Sequence, residues 1–204
     1  LRVENIRFEN ARAPDLNGAG IRHDGYNLTV VNCVFENNED GILATGQPGG
    51  VITIIGSAFI NNGYGDGYSH AIYVAEGHRL DVSASKFVGT RIGHHVKSLA
   101  AITRIVNSSF DDADGKTSYS VDVSRGGHVT IEGNSFIQAA DADNSTLINY
   151  DQSRGGEPGA LIIRGNRIVN KNRNGRLLRN KTEAVPVIAG NEVRNAENGR
   201  FVTN

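Results

Sequence analysis

One pattern of residues recurs along the whole chain, about every 26 residues. Its clearest copy is Val129 to Phe136, which ends on a large apolar residue. The residues equivalent to Phe136, here called the anchor column, are Phe8, Phe35, Phe59, Phe87, Phe110, Phe136, Ile168 and Val193. A repeat of this length that spans a chain restricts the fold to a solenoid, in which each copy packs on the next.

Further apolar columns predict the strands of each coil. Val or Ile stands five positions before every anchor, and a mostly apolar column stands seven positions before it. Alternation of β-branched residues is typical of a strand that buries one face. A second-strand column follows each anchor after a loop: Ile21, Ile42, Ile72, Val96, Val121, Ile148, Leu178 and Val202. The sequence therefore predicts an all-β, parallel β-helix of about eight coils with two strands per coil, as a single domain over residues 1–204.

Polar residues recur on both sides of each anchor. Two positions before it stand Ile6, Cys33, Ser57, Ser85, Ser108, Asn134, Asn166 and Asn191, of which only Ile6 is aliphatic. Two positions after it stand Asn10, Asn37, Asn61, Gly89, Asp112, Gln138, Asn170 and Asn195. Asn tolerates left-handed backbone geometry, and side chains stacked about 4.8 Å apart can bond to the coils above and below. The columns predict hydrogen-bonded ladders, in which the single cysteine, Cys33, is a packed side chain rather than a nucleophile.

The charge balance argues against a nucleic-acid or anionic-membrane partner, because 21 Lys and Arg face 22 Asp and Glu. No segment approaches the roughly 20 apolar residues of a membrane helix, so no membrane span is expected. The first residue already stands in a strand column, and solenoid ends normally need a cover. We therefore expect a chain continuous with a longer protein, or an end-to-end or lateral homo-oligomer.

The short strands, the coil length, the Asn-rich turns and the aliphatic core together resemble the right-handed parallel β-helix superfamily that includes pectin and pectate lyases. The resemblance covers the whole chain and implies an extracellular or periplasmic protein that acts on a polysaccharide. The same architecture carries lyases, hydrolases, epimerases, phage depolymerases and non-catalytic surface proteins, so the fold alone does not choose among them.

The signatures of individual families within that superfamily do not match. The polygalacturonase order of Asn-Thr-Asp, Asp-Asp and Gly-His-Gly is broken, since Asp111 and Asp112 follow Gly93 and His94 and no Asn-Thr-Asp occurs. The Asp-Pro-His motif of alginate epimerases and the Arg-x-Pro-x-x-Arg motif of pectate lyases are both absent. No specific member family is therefore assigned.

A polar column follows the second-strand column by one residue and is expected to face outward. Its members are Arg22, Leu43, Tyr73, Lys97, Asp122, Asn149, Arg179 and Thr203. We call Tyr73, Lys97, Asp122 and Asn149 the stripe, with neighbours about 4.8 Å apart. His95 directly precedes Val96 of the second-strand column and is expected to face the same way as the stripe. Asp24, Ser124 and Asp151 lie two residues further along, with Arg125 and Arg154 just beyond.

This set of side chains fits β-elimination on an acidic sugar, which needs a cation for the carboxylate, a base and an acid. Lys97 or His95 would be the base and Tyr73 the acid. Arg125 and Arg154 would hold the carboxylate, while Asp122 and Asn149 would bind the substrate. The alternative is a structural or adhesive module, in which Lys97 forms a surface ion pair with Asp122.

The remaining histidines and charged turns have simpler interpretations. His23, His70 and His94 are expected at inward or turn positions and to be structural, and His78 and His128 to be exposed. No metal site is predicted, although Asp112 to Gly115 and Asp141 to Ser145 resemble the start of a calcium loop and could share one Ca²⁺. A basic run on coil seven would be solvated or bind an anionic polymer: Lys171, Arg173, Arg176, Arg179 and Lys181.

Overall fold

The computed structural model describes residues 1–195. The predicted positions of Val202 and Thr203 lie outside the described residues. Residues 1–195 fold into 23 strands without a helix. In that part of the chain, accordingly, no helix is long and apolar enough to cross a membrane.

The strands are short, and they follow one another in groups of three. In chain order they are β1 (Arg2–Glu4), β2 (Arg7–Glu9), β3 (Ala19–His23), β4 (Leu28–Val31), β5 (Val34–Glu36), β6 (Asp40–Ala44), β7 (Val51–Ile55), β8 (Ala58–Ile60), β9 (Ile72–Val74), β10 (Arg79–Ser83), β11 (Lys86–Val88), β12 (Val96–Ser98), β13 (Ile102–Val106), β14 (Ser109–Asp111), β15 (Val121–Val123), β16 (Gly127–Glu132), β17 (Ser135–Gln138), β18 (Thr146–Tyr150), β19 (Pro158–Arg164), β20 (Arg167–Asn170), β21 (Arg176–Asn180), β22 (Val187–Ala189) and β23 (Glu192–Arg194).

Each coil contributes one strand to each of three parallel sheets. Sheet A has the order β1-β4-β7-β10-β13-β16-β19-β22, sheet B the order β2-β5-β8-β11-β14-β17-β20-β23, and sheet C the order β3-β6-β9-β12-β15-β18-β21. Residues 1–195 thus form seven complete coils and the first two strands of an eighth. The predicted parallel β-helix is confirmed, with one correction: each coil has three strands, because the anchor lies in a strand of its own.

A left-handed residue between sheets A and B explains the extra strand. The residue at this bend has positive φ in every coil: Asn5, Asn32, Gly56, Ala84, Asn107, Gly133, Gly165 and Gly190. One residue in this conformation reverses the pleat and turns the chain sharply, so the strand pattern resumes almost at once. In the column beyond the anchors, Asn10, Asn37, Asn61 and Gly89 also have positive φ, whereas Asp112, Gln138 and Asn170 do not.

The anchor column forms a continuous stack of aromatic rings in the core. From Phe8 to Phe136 each ring lies parallel to the next, with centroids 4.7 to 5.0 Å apart and planes within 11°. This separation equals the spacing of paired strands, so the sheet register itself places the rings in contact. Ile168 and Val193 continue the column in the last two coils.

The polar column before the anchors forms the predicted ladder. The backbone N–H of each member donates to the side chain of the next coil, at 2.9 to 3.2 Å, without a break from Cys33 to Asn191. Asn134 and Asn166 also donate their amide hydrogens to backbone carbonyls, at 3.0 Å in each case. Cys33 is buried at the start of the ladder, which confirms its packed position.

Truncation of a ring within the stack should destabilise the fold. Phe87 is fully buried between Phe59 and Phe110, so Phe87→Ala removes two ring contacts and leaves a cavity. We expect a loss of about 3–5 kcal/mol in the free energy of unfolding, measured by urea titration. The matched control is Phe8→Ala, since Phe8 is only half-buried and stacks on one side. Equal losses in the two variants would contradict a stack that stabilises through burial.

Removal of one ladder amide should cost more than removal of an exposed one. The Asn166 carbonyl oxygen accepts from the Asn134 backbone N–H at 2.9 Å, so Asn166→Ala leaves that buried donor unpaired. A loss of about 1–3 kcal/mol is expected for each buried group left without a partner. Asn166→Ser, which restores the residue type of earlier coils, should recover part of it. Asn174→Ala, on an exposed turn, serves as the control, and an equally large effect there would refute the ladder's contribution.

Candidate functional site

The stripe exists as predicted on the outer face of sheet C. The register pairs Tyr73 with Lys97, Lys97 with Asp122, and Asp122 with Asn149. Arg179 follows Asn149 in the same row. The stripe is less exposed than expected, however, because Asp122 and Asn149 are buried at 3% and 2% exposure. Tyr73 and Lys97 are half-buried and form its accessible part.

Asp122 is the centre of a hydrogen-bonded network. Its carboxylate accepts from Ser124 Oγ at 2.8 and 2.9 Å and from Asn149 Nδ2 at 2.7 Å. Lys97 Nζ lies 3.4 Å from Asp122 Oδ2. These donors compensate for the burial of the negative charge, which would otherwise be costly. They also share the carboxylate, so Lys97 is only one of several groups that hold it.

Arg179 closes the other end of this network. Its Nη1 donates to Asn149 Oδ1 at 2.8 Å and to the Tyr119 hydroxyl at 3.3 Å, and lies 3.8 Å from Asp151. Asn149 Nδ2 in turn donates to Asp151 Oδ2 at 3.0 Å. Of the basic run predicted on coil seven, Arg179 is therefore the member that joins the stripe.

The predicted orientation of His95 is wrong. His95 is completely buried and lies beside the rings of Phe87 and Phe110. Its Nδ1 is 2.7 Å from Thr90 Oγ1, and its Nε2 is 3.3 Å from Asp112 Oδ1. The imidazole therefore belongs to the core and not to the stripe.

The position of His95 at a corner of the coil explains this error. Strand β12 begins one residue later, so the alternation of inward and outward side chains does not extend back to His95. The equivalent residues of the other coils are small or apolar, and all of them except Gly20 are buried: Gly20, Gly41, Ala71, Ser120, Leu147 and Leu177.

His94, rather than His95, lies against the stripe. Its Nε2 is 3.5 Å from Asp122 Oδ2, and its Nδ1 accepts the backbone N–H of Tyr119 at 3.1 Å. A backbone N–H can only donate, so the neutral ring carries its proton on Nε2, directed towards Asp122. Both ring nitrogens are thus engaged, which suits a structural role better than that of a free base.

His94 belongs to a second ladder, in which side chains accept backbone N–H groups of the next coil. His70 N–H donates to Asp40 Oδ1 at 2.7 Å, and His94 N–H donates to His70 Nδ1 at 3.1 Å. The two imidazoles stack with centroids 4.7 Å apart. The structural interpretation of both histidines is supported by these contacts. The signal was visible in the sequence, since Asp40, His70 and His94 all stand two residues before the second-strand column.

Burial changes the pKa values of this ladder. It lowers the pKa of His94 to about 4, opposed by Asp122 and reinforced by Lys97. It also lowers the pKa of His70 well below its usual value, with His94 and Lys97 as further causes. Burial raises the pKa of Asp40 to about 7, against the effect of its bond from the His70 backbone. The ladder is therefore built from side chains that favour their neutral forms.

Aromatic side chains occur in the stripe and in the loop that precedes its first strand. The Tyr73 ring lies below Lys97 Nζ, 5.6 Å from its centroid, and meets His70 edge-on. In the Gly-rich loop before His70, Tyr68 is 83% exposed and Tyr64 is 49% exposed. Asp66 and Ser69 hold this loop through bonds to its backbone. Rings presented in this way can pack against the apolar face of a ligand.

Arg125 and Arg154 lie at the corner where sheet C leads into sheet A. Arg125 Nη1 is 3.8 Å from Glu76 Oε1, which is an ion pair without a direct hydrogen bond. Arg154 is exposed, and its backbone N–H donates to the Ser124 carbonyl at 2.9 Å. Within residues 1–195 neither arginine forms an ion pair with a residue of the stripe. Their use as a common carboxylate clamp stays a prediction.

The acidic turns do not form a joint calcium site. Asp112 is buried, with Oδ2 accepting the Ala139 N–H at 2.9 Å, while Asp141 is exposed and lies 3.8 Å from Lys116. One carboxylate oxygen of Asp112 is thus bonded to the backbone of the next coil, and the other lies 3.3 Å from His95 Nε2. Among the described residues, no group of three or more His, Cys, Asp or Glu side chains is arranged to hold a metal ion.

No family model matches this chain, and neither a curated protein nor a solved structure gives a significant match. The class of protein is therefore defined by the fold: a parallel β-solenoid with a polar stripe on its third sheet. Membership of the pectin and pectate lyase-like superfamily stays a prediction from the resemblance.

The burial of His94 predicts a pH-dependent stability. An unfolded His94 takes up a proton near its ordinary pKa of 6.5, whereas the folded protein resists protonation until about pH 4. The free energy of unfolding should therefore fall as the pH is lowered through this window. His94→Gln should show a shallower fall, measured by urea titration between pH 7 and pH 4, while exposed His78→Gln should keep the wild-type slope. Identical slopes in wild type and His94→Gln would contradict this assignment.

Proposed function

We propose that the protein binds an acidic polysaccharide along the outer face of sheet C and cleaves it by β-elimination. The observation that carries the proposal is Lys97, which is 17% exposed on the outer face of sheet C, 3.4 Å from Asp122 and above the Tyr73 ring. A cation and a phenolic hydroxyl on this face, together with the exposed tyrosines of the loop before His70, would provide contacts for a sugar that carries one carboxylate. The pectin and pectate lyase-like resemblance of the sequence supports the same substrate class.

In the proposed reaction, the neutral form of Lys97 removes the proton at C5 of the uronate. The electron pair of that C–H bond forms the C4–C5 double bond, and the bond from C4 to the leaving oxygen breaks. The hydroxyl of Tyr73 gives its proton to that oxygen. Asp122 positions Lys97 and is itself held by Asn149, and neither is assigned a contact with the substrate, because both are buried. His95 is no longer assigned a role, since it lies in the core.

The arginines at the corner of the coil, Arg125 and Arg154, hold carboxylates of the bound polymer. An extracellular or periplasmic location would give the protein access to such polymers and forms part of the proposal.

A substitution at Lys97 tests the base directly. Purified protein is offered a panel of polyuronates with and without calcium, and the unsaturated product is followed by its ultraviolet absorbance. Lys97→Ala and Lys97→Arg should both abolish turnover, because arginine keeps the charge but cannot lose its proton. Lys86→Ala, on the outer face of sheet B, should retain full activity. Turnover that survives in Lys97→Arg would assign Lys97 an electrostatic role and refute its action as the base.

A non-catalytic glycan-binding or adhesive module is the second candidate function. It is favoured by the internal pairing of the network, in which Lys97 faces Asp122 and both nitrogens of His94 are engaged. This function predicts no product from any polymer, with binding that Tyr73→Ala weakens. Product formation by the wild-type protein would exclude it.

A further inference from the structure

A cleft of about 380 Å³ lies outside the stripe, at the corner between sheets C and A. We call it the corner cleft. It is lined by the segments that lead from sheet C into sheet A in five successive coils, from Pro48 before β7 to Gly159 in β19. Its volume is at the lower end of the range of small-ligand pockets, so it suits one or two sugar units rather than a larger molecule.

The lining combines an apolar wall with a few charged groups. Leu99, Ala101 and Pro158 supply apolar surface. Glu76 and Arg125 face each other at 3.8 Å with about two-fifths of each side chain exposed, so both can contact a ligand. Such an arrangement is typical of sites that recognise sugars, whose rings present both C–H faces and hydroxyl groups.

The charges of the cleft limit the ligand further. One guanidinium, Arg125, stands among two carboxylates, Glu76 and Glu157. Two carboxylates disfavour a multiply charged anion, but they accept hydrogen bonds from several hydroxyl groups. A guanidinium binds one carboxylate through two parallel hydrogen bonds. A hydroxyl-rich ligand with a single carboxylate satisfies all three side chains.

The wall of the cleft is fixed from the core by Tyr150. This side chain is fully buried, yet its hydroxyl donates to the Gly127 carbonyl at 2.8 Å and accepts the Gly159 N–H at 2.9 Å. Both glycines line the cleft. Tyr150 therefore ties two neighbouring coils together at this wall and is a positioning residue for the site.

Glycines of the two Ser-Arg-Gly-Gly segments keep the cleft open. Gly127 has a φ of +83° and Gly156 a φ of +80°, where other residues are strained. A Cβ on Gly127 would collide with the Ala101 carbonyl, and one on Gly156 with the Arg125 carbonyl. Glycine at the end of both Ser-Arg-Gly-Gly segments is thus explained by the lack of space for a side chain. At these two positions the backbone itself lines the cleft.

We propose that the corner cleft is a binding subsite for a single uronate unit, with Arg125 on the carboxylate and Glu76 and Glu157 on the hydroxyl groups. The inference rests on the proposed function for its ligand, an acidic polysaccharide. Arg125 lies three residues beyond Asp122, at the corner that follows β15, so at most about 10 Å of backbone separates the two residues. A bound chain of several units can therefore occupy the stripe and the cleft together, so the cleft would select the acidic unit next to the cleaved bond.

The test uses monosaccharides, which can bind the cleft without undergoing elimination. The complete protein, labelled with ¹⁵N, is titrated with galacturonate, glucuronate or mannuronate, and the amide shifts of Gly127, Gly156 and Gly159 are followed. At least one uronate should shift these amides, and the matching neutral hexose should bind about tenfold more weakly. No shift with any of the uronates, or equal binding of the neutral hexose, would overturn the proposal.

Matched variants separate the cleft from the stripe. Arg125→Ala should weaken uronate binding about tenfold, because it removes a charge-assisted contact. Tyr150→Phe should weaken binding while leaving all lining side chains in place. Arg173→Ala, an exposed arginine of coil seven, should bind as wild type. Wild-type affinity in Arg125→Ala would overturn the assignment.

The same titration distinguishes the two proposals. Lys97→Ala should keep wild-type affinity for the monosaccharide, because Lys97 lies on the stripe and outside the cleft. Uronate binding with no elimination of any polymer would retain the subsite and reject the lyase. Elimination that depends on Lys97, with no shift of the cleft glycines, would retain the lyase and reject the subsite.

Discussion

The spacing between paired strands is the constraint on which the structure depends. All three sheets run parallel, so every residue faces its equivalent in the next coil at about 4.8 Å. A side chain can occupy such a column only if copies of it attract one another or bond to the adjacent backbone. Phenylalanine rings meet this condition in the core, and Ser or Asn side chains meet it at the bend. The columns visible in the sequence are the direct result.

The stripe has the same spacing between neighbours, but its residues are charged or polar. Identical charges in neighbouring coils would repel, so the row changes sign from Lys97 to Asp122 and returns to a cation at Arg179. Asn149, which both donates and accepts, fits between Asp122 and Arg179. The network is thus stable in itself, and its accessible end is the pair of Tyr73 and Lys97. The five residues of this row, from Tyr73 to Arg179, therefore both stabilise the sheet and give the candidate site its chemistry.

The sequence was sufficient to predict the columns of equivalent residues, but not the bends between the strands. The rows of the anchor and second-strand columns were predictable because strand alternation and the repeat determine them together. The third strand of each coil was not predictable, since a single left-handed residue such as Ala84 or Asn107 produces the bend. An alanine in the sequence gives no indication of that conformation. The orientation of His95 was predicted wrongly for a related reason, because the alternation of side chains does not extend beyond the start of β12. The burial of Asp122 depends on contacts with Ser124 and Asn149 that no single column displays.

The ladder from Cys33 to Asn191 runs in one direction only. The backbone N–H of each coil finds its acceptor in the coil that follows it in the chain. During synthesis, a coil that has emerged therefore still lacks one bond until its successor arrives and folds against it. The coil at the growing end is therefore always the one whose ladder N–H has no acceptor yet.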